Sequence, residues 1–223
     1  MNSWFETISS LLLPVLELIQ RYTHDWGLAV IVLTLLVKTV LYLPQLQAAR
    51  QQVRMTHVQP ELQHLRELHK DDPQQLATAT MKLYEEKGIR PFRSIRNVLL
   101  QMPIWMGLYG LFLVHGAAMT SVLLPWIGNL SMSDPLHVLP LLTALGTGLT
   151  VLIPLTADSA AASPTAVWTG RTVMLALAVL LPLAFMWRAP AALGLYWLTS
   201  SAFSLMERLF YRTGWGKRLL ARA

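Results

Sequence analysis

The chain has 223 residues, of which 54% are apolar and 13% are charged, and its formal net charge at pH 7 is +6. Soluble domains usually carry about twice this charged fraction, so the composition argues against an ordinary soluble enzyme and indicates a membrane protein. The absence of cysteine excludes disulfides, thiolate metal sites and a lipid-modified cysteine.

Residues 1–25 predict an amphipathic helix that contains Pro14. This segment is too polar to span a bilayer, so we expect it to lie in the outer membrane interface. Trp26 follows directly and is a typical interfacial anchor for the segment that comes next.

Five apolar runs follow, each close to the length that a membrane-spanning helix needs. The predicted fold class is therefore all-α, a polytopic membrane protein with five transmembrane helices. The predicted spans cover residues 26–44, 97–115, 136–155, 170–187 and 190–210.

The first and second spans are separated by a long charged segment, residues 45–93. Its first half has apolar residues at near-helical spacing, Asp72–Pro73 offers a helix start, and Gly88 offers a helix end. We predict a helical hairpin with one narrow apolar seam. A solvated connector is the alternative, but long structured inserts tend to be functional.

Basic residues predict the orientation of the chain. Residues 45–93 carry eight Lys and Arg and the tail 211–223 carries four, whereas residues 116–134 carry none. By the positive-inside rule, the hairpin and the basic tail are cytoplasmic and the N-terminus is outside. The net positive charge then reflects topology, and we expect no DNA partner.

Lys38 lies inside the first apolar run and is the main candidate for a functional residue. A cation at membrane depth costs a few kcal/mol on insertion scales and is by default a functional hypothesis. Snorkelling is the alternative, because Lys38 is roughly 9 Å of helix from Pro44. Thr34, Lys38 and Tyr42 recur at helical spacing and are predicted to share one face.

Polar side chains also occur on other spans, and Gln101 on the second is the hardest to explain as packing. Hydroxyl groups such as those of Tyr196 and Ser200 commonly join transmembrane helices, which is the alternative to a groove. No Asp or Glu lies in the core of a span, and Glu207 is only at the end of the last. We therefore expect Lys38 to meet carbonyls, hydroxyls or water in a groove open to the cytoplasm.

No catalytic motif is present among the common ones, so we predict that the chain is not an enzyme and has no catalytic residue and no cofactor. His57, His64 and His69 lie on the predicted hairpin. We interpret them as part of a hydrated helix face rather than as a metal site.

Several segments together resemble the YidC/Oxa/Alb family of membrane-protein insertases, from about Trp26 to Arg218. Lys38 stands where the family usually has arginine, and the turn at residues 90–95 departs from the family pattern. The segments that carry the resemblance are residues 26–44, QPELQHLREL at 59–68, residues 71–91, LLQMPIWMGLYGLF at 99–112, SDPLHVLPLL at 133–142 and PAALGLYWLTSSAFS at 190–204.

The resemblance implies an insertase and membrane chaperone of the bacterial inner membrane. It would receive nascent membrane proteins in a hydrophilic groove and release them into the lipid bilayer, with the ribosome and the Sec translocon as possible partners. The implied groove residues are Lys38, Thr34, Tyr42, Gln101, Tyr196, Trp197 and Ser200.

Two rival functions remain open at this point. A specialised foldase without general insertase activity would fit the lysine and the altered turn. A small-solute transporter or channel is disfavoured, because the chain has no inverted repeat and no carboxylate within a span core.

Overall fold

The computed structural model describes residues 3–89, 92–155 and 166–221. All regular structure in these ranges is helical, which confirms the predicted all-α class. The helices are α1 (Ser3–Thr23), α2 (Trp26–Val40), α3 (Tyr42–Leu68), α4 (Pro73–Glu86), α5 (Phe92–His115), α6 (Val138–Leu152), α7 (Ala166–Met186), α8 (Ala191–Tyr211) and α9 (Gly214–Ala221), with one 3-10 turn at Gly116–Ala118.

The helix of the first predicted span bends after Val40. Helix α2 stops at Val40, and α3 continues at an angle of 63° to it. Pro44 explains the break, because a proline ring clashes with the carbonyl four residues earlier, here that of Val40, and cannot donate a helical hydrogen bond. Residues 42–44 thus continue into helix α3.

Only one helix in the described ranges, Leu99–Ala118, is long and apolar enough by itself to cross a membrane. The bent pair α2–α3 meets the same standard when it is taken as one span, while Val138–Leu152 and Thr172–Met186 are shorter apolar helices. Helix α6 has only 15 residues, which is fewer than a helix usually needs to cross the hydrocarbon core of a bilayer.

Helix α1 packs along α5 and α2. Leu16 is fully buried in this contact, whereas Leu11 and Leu18 point outward with more than half of their surface exposed. At Gly107 a Cβ atom would lie 2.3 Å from Cγ2 of Ile8, so the glycine permits the close approach of α5 to α1. The predicted amphipathic helix thus has a protein-facing side and an apolar outward side.

The main hydrophobic core lies where α1, α2, α5 and α8 meet the connection 116–137, and we call this part of the bundle the closed end. Leu108, Leu111, Phe112 and Leu193 are fully buried there. Backbone hydrogen bonds join the connection to the start of α8, from Ala191 to Met132 and from Ala192 to Leu130. The connection therefore forms a fixed cover over this end.

The opposite part of the bundle, which we call the open end, carries α3, α4 and α9. Helices α3 and α4 pair through a small apolar cluster around Leu62 and Leu83, and an exposed ion pair joins Lys87 to Glu61 at 2.7 Å. Helices α3 and α4 thus pack against each other as two neighbouring helices of the open end.

The predicted basic tail contains a helix, α9, that docks onto the start of α3. Tyr211 and Leu220 are buried in a cluster with Leu46. The Arg50 guanidinium donates to the Leu219 carbonyl at 2.9 Å and 3.2 Å. The tail is therefore part of the folded open end.

Candidate functional site

A cavity of about 570 Å³ lies at the open end, between α2, α3, α5 and α8. Its rim includes the exposed side chains of Leu100 and Met102 on α5, which leave the cavity accessible from the side of the bundle. The lining residues are Lys38, Leu41, Pro44, Gln45, Leu100, Gln101, Met102, Trp105, Tyr196, Trp197, Ser200 and Ser204.

Lys38 is the cation of this cavity and has only 7% of its surface exposed. It lies in the last turn of α2, where the negative end of the helix dipole favours a positive charge. It donates no hydrogen bond to any residue in the described part of the chain. Its ammonium is thus available to a ligand or to water in the cavity.

Glu207 on α8 is an acidic neighbour of Lys38, contrary to the expectation that only neutral groups and water surround the lysine. The two side chains attract each other electrostatically, although no ion pair within 4.0 Å joins them. The bend after Val40 and the packing of α2 on α8 bring these distant parts of the chain together.

Gln101 and Tyr196 form the polar link between α5 and α8. The Gln101 amide donates to the Tyr196 hydroxyl, and Tyr196 is 97% buried, with an exposed fraction of 3%. A buried polar group is retained at low cost only when it is hydrogen-bonded. This pair therefore fixes the floor of the cavity with polar atoms.

Aromatic rings form one wall of the cavity. Trp105 packs against Phe185 with ring centroids 4.9 Å apart and meets Trp197 edge to face at 6.4 Å. The Trp197 ring nitrogen donates to the Thr147 hydroxyl on α6 at 3.1 Å. The wall is thus anchored from behind, and its apolar faces are presented to the cavity.

Five of the seven predicted groove residues line this one cavity: Lys38, Gln101, Tyr196, Trp197 and Ser200. The other two lie elsewhere. Thr34 is fully buried and donates to the Val30 carbonyl at 2.7 Å, so its hydroxyl is used within its own helix. Tyr42 lies beyond the bend and packs with the α9 cluster near Tyr211.

Sequence reasoning missed Trp105 and the proximity of Glu207. Trp105 follows Gln101 by four residues, so helical periodicity could have placed both on one face. No local pattern could have paired Glu207 with Lys38, because that proximity depends on how α8 is rotated against α2.

At the closed end, Asp25 ties α2 to the connection 116–137. Its carboxylate accepts hydrogen bonds from the Leu28 amide at 2.8 Å, the Ser121 hydroxyl at 2.9 Å and the Val122 amide at 2.5 Å. Burial by itself would raise the pKa of Asp25, but these hydrogen bonds to the carboxylate outweigh burial and lower its pKa below the ordinary value of 3.8.

Asp134 makes a second fixed point of the closed end. It is 2% exposed, and its carboxylate accepts from the Trp126 ring nitrogen at 2.9 Å and from the Leu139 amide at 2.7 Å. The connection is thus fastened to the start of α6 as well as to α2.

Within the described ranges, no group of three or more His, Asp or Glu side chains is placed to hold a metal ion. The unusual turn that the sequence shows at residues 90–95 lies outside the residues whose side chains are described.

Comparison with known proteins gives consistent matches over most of the chain. The 60Kd inner membrane protein family model matches residues 18–217. The membrane protein insertase YidC of Actinobacillus pleuropneumoniae is 34% identical over 211 residues, which is 94% of this chain and 37% of that protein. YidC of Legionella pneumophila is 31% identical over 207 residues, 93% of this chain and 35% of that protein.

A solved structure described as an active YidC insertase with its first transmembrane domain resolved has the same fold. Its TM-score is 0.67 at 24% sequence identity, and the match covers 95% of this chain and 47% of the other. This chain therefore spans little more than a third of the length of its curated relatives and about half of the solved one. The matches confirm the resemblance predicted from the sequence motifs.

Proposed function

This chain belongs to the 60Kd inner membrane protein family, the YidC/Oxa/Alb group, and from that premise we propose that it acts as a membrane protein insertase and chaperone. The open-end cavity receives a nascent transmembrane segment and releases it sideways into the bilayer. The observation that carries this proposal is the buried Lys38, which donates no hydrogen bond to any described residue and lines a cavity of about 570 Å³ at the open end.

The physical basis is local hydration. Polar groups cross a bilayer at high cost because hydrocarbon offers them no hydrogen bonds. A cavity lined by Lys38, Gln101 and Ser200 offers such bonds part of the way. The client's apolar segment then partitions into lipid, and this transfer supplies the free energy without a nucleotide or a metal.

We infer that the open end faces the cytoplasm and that five helices, α2, α5, α6, α7 and α8, cross the membrane. The basic residues of the hairpin and of α9 share the open end, as the positive-inside rule requires of a cytoplasmic side. Helices α6 and α7 carry large apolar side chains that are exposed, among them Leu141, Leu145, Leu177, Leu180 and Leu181. Exposed apolar patches mark contact with a membrane, which supports counting both helices among the five that span it.

Labelling of an introduced cysteine tests this topology. The native chain has none, so Gln74→Cys at the start of α4 gives a single reactive site. An impermeant maleimide should label it in inverted membrane vesicles and not in intact cells. Labelling from outside intact cells would reverse the proposed orientation.

The insertase proposal is tested in proteoliposomes that contain the purified chain. The client is a short single-span protein in two versions, with two Asp or two Asn in its translocated region, and insertion is scored by protease protection. Lys38→Glu should lower insertion of the acidic client about tenfold by replacing attraction with repulsion. Lys38→Arg should preserve it, because the charge is kept.

Lys82→Glu is the matched control, since this exposed lysine on α4 lies away from the cavity, and it should leave both clients unaffected. Equal insertion of the acidic client by wild type and Lys38→Glu would refute a role for groove charge. Assisted folding of clients that other machinery has inserted, with no insertion by the chain alone, would favour the foldase alternative. Solute flux would favour a transporter.

We further propose that α9 contributes to ribosome contact. Lys217 and Arg218 are exposed on α9, whose opposite side is docked. Contact with ribosomal RNA through such residues would be electrostatic and sensitive to salt. Replacing both with glutamine should reduce co-sedimentation with ribosomes at low salt. Unchanged co-sedimentation would leave these charges as topology signals only.

A further inference from the structure

Glu207 is an acidic residue of the open end that the proposed function does not use. It lies on α8 between the cavity residue Ser204 and the docked Tyr211, whose hydroxyl donates to its carboxylate at 3.3 Å. Its side chain is half-buried. Glu207 lines a second, smaller cavity of about 150 Å³ next to the first.

The two cavities adjoin, because Gln45 and Ser204 line both. A client segment that enters the larger cavity from the hairpin side therefore passes close to Glu207 before it reaches Lys38. The carboxylate attracts the lysine electrostatically, yet the described side chains leave a gap of more than 4.0 Å between the two charged groups. Within the described residues, the lysine is therefore not held in a direct ion pair with Glu207.

The nearby arginines are held elsewhere. The Arg208 guanidinium donates to the Ile153 carbonyl at 2.8 Å, and that of Arg212 donates to the Pro154 carbonyl at 3.1 Å. Glu207 is the acidic group whose charge acts on Lys38, and Arg208 is a further cation beside it.

We propose that Glu207 is a specificity-determining residue, an internal counter-ion that weakens the attraction of Lys38 for acidic client segments. This inference rests on the proposed insertase function. A client carboxylate must compete with Glu207 for the lysine, so the chain discriminates less in favour of acidic translocated regions than a groove with an isolated cation would. Removing the carboxylate should therefore sharpen the preference for acidic clients.

The test uses the full chain in proteoliposomes and the same Asp and Asn client pair. The readout is the ratio of acidic to neutral client inserted by one preparation. A lower yield of folded protein reduces the insertion of both clients alike and leaves this ratio unchanged. Glu207→Gln should raise this ratio about threefold, the size expected for one unit charge at several ångströms in hydrated surroundings. Glu207→Asp, which keeps the charge, should retain the wild-type ratio.

Two further variants separate a counter-ion from simple repulsion and from misfolding. In a Lys38→Gln background, Glu207→Gln should raise the ratio by much less, because no lysine remains whose attraction for the client Glu207 could weaken. Gln45→Glu adds a carboxylate to the same passage without touching Glu207 and should lower the ratio.

The outcomes are distinct. An equal rise in both backgrounds would overturn the counter-ion role, and so would an unchanged ratio in Glu207→Gln and Gln45→Glu while wild type inserts both clients. In either case the insertase function would stand. If wild type inserts neither client above protein-free liposomes, the proposed function fails and this inference fails with it.

Discussion

The closed and open ends of the bundle treat buried polar groups in opposite ways. At the closed end, the carboxylates of Asp25 and Asp134 each accept several hydrogen bonds. At the open end, Lys38 donates to no described residue and borders a cavity of about 570 Å³. The hydrogen-bonded carboxylates tie the closed end together, whereas Lys38 at the open end borders the cavity and donates no hydrogen bond to a described residue.

This contrast predicts that substitutions at the closed end change stability, whereas those in the cavity change function. Buried charged groups that are fully hydrogen-bonded are costly to remove. A buried charge that makes no hydrogen bond lowers the stability of the fold, and natural proteins retain such a charge where activity needs it.

The largest effect is expected for Asp25→Ala. It removes the N-cap of α2 together with the bonds to Ser121 and Val122, so we expect a loss of about 3 kcal/mol in the free energy of unfolding. The measurement is denaturant unfolding in detergent micelles followed by tryptophan fluorescence. A loss as small as that of an exposed charge would show that the closed end is not fastened by this residue.

Asp25→Asn is the matched control, and it also tests the pH dependence. Because the folded-state pKa of Asp25 lies below 3.8, its contribution to stability is full above that pH and is lost as the pH falls through the folded-state pKa. Wild type should therefore lose more stability than Asp25→Asn between pH 6 and pH 3. Parallel curves for the two proteins would contradict the lowered pKa.

The second-largest loss of stability is expected for Gly216→Ala, at the open end but outside the cavity. At Gly216 a Cβ atom would lie 2.2 Å from the Phe210 carbonyl oxygen and 2.5 Å from the Tyr211 Cα, both backbone atoms that cannot move aside. Gly216→Ala should undock α9 at a cost of about 2 kcal/mol. A cysteine at Leu220 should then react faster with maleimide.

Gly214→Ala is the control for that experiment, because nothing lies within 4 Å of the corresponding Cβ position. It should leave the labelling rate of the same cysteine unchanged. Fast labelling in the native background would mean that α9 is not stably docked.

Lys38→Met is expected to change the free energy of unfolding in the opposite direction to Asp25→Ala. Removing a charge that is 93% buried, with 7% exposed, should leave stability unchanged or raise it by about 1 kcal/mol, while insertion of acidic clients falls. Unfolding and insertion assays on one preparation test both parts. A loss of stability comparable to that of Asp25→Ala would instead assign Lys38 a structural role.

The smallest effect is expected for Lys87→Ala in the hairpin. Its ion pair with Glu61 is short at 2.7 Å, but about 43% and 46% of the two side chains are exposed. Solvent screens such pairs, so the loss should be below about 0.5 kcal/mol. Glu61→Ala should behave alike, and a clearly larger loss in both would mean that the hairpin depends on this contact.

Local patterns were enough to predict most of the helices. The hairpin helices follow from the helix start at Asp72, which caps α4 through its side chain, and from the stop at Gly88, whose φ of 63° favours glycine. The end of α2 was missed because an apolar run continues to Pro44, although the ring of that proline already excludes a straight helix past Val40.

The groove residues divide in the same way. Lys38, Gln101 and Tyr196 were predicted because a polar group in an apolar run is visible from sequence alone, and the structure places all three around one cavity. Thr34 was predicted on the same face as Lys38, but its hydroxyl is turned to the Val30 carbonyl within α2. A threonine can satisfy itself on its own helix, so its spacing does not reveal whether it lines a groove.

The sequence by itself determined the family, the helical class and the polar residues that an apolar environment makes conspicuous. Composition and spacing carry this information because burying a charge or an amide is costly wherever it occurs. Only the tertiary structure decided that α9 docks and that Glu207 lies near enough to Lys38 to act on its charge. Helical periodicity fixes which residues share a face of one helix, but the rotation of that helix against its neighbours is set by packing between distant segments.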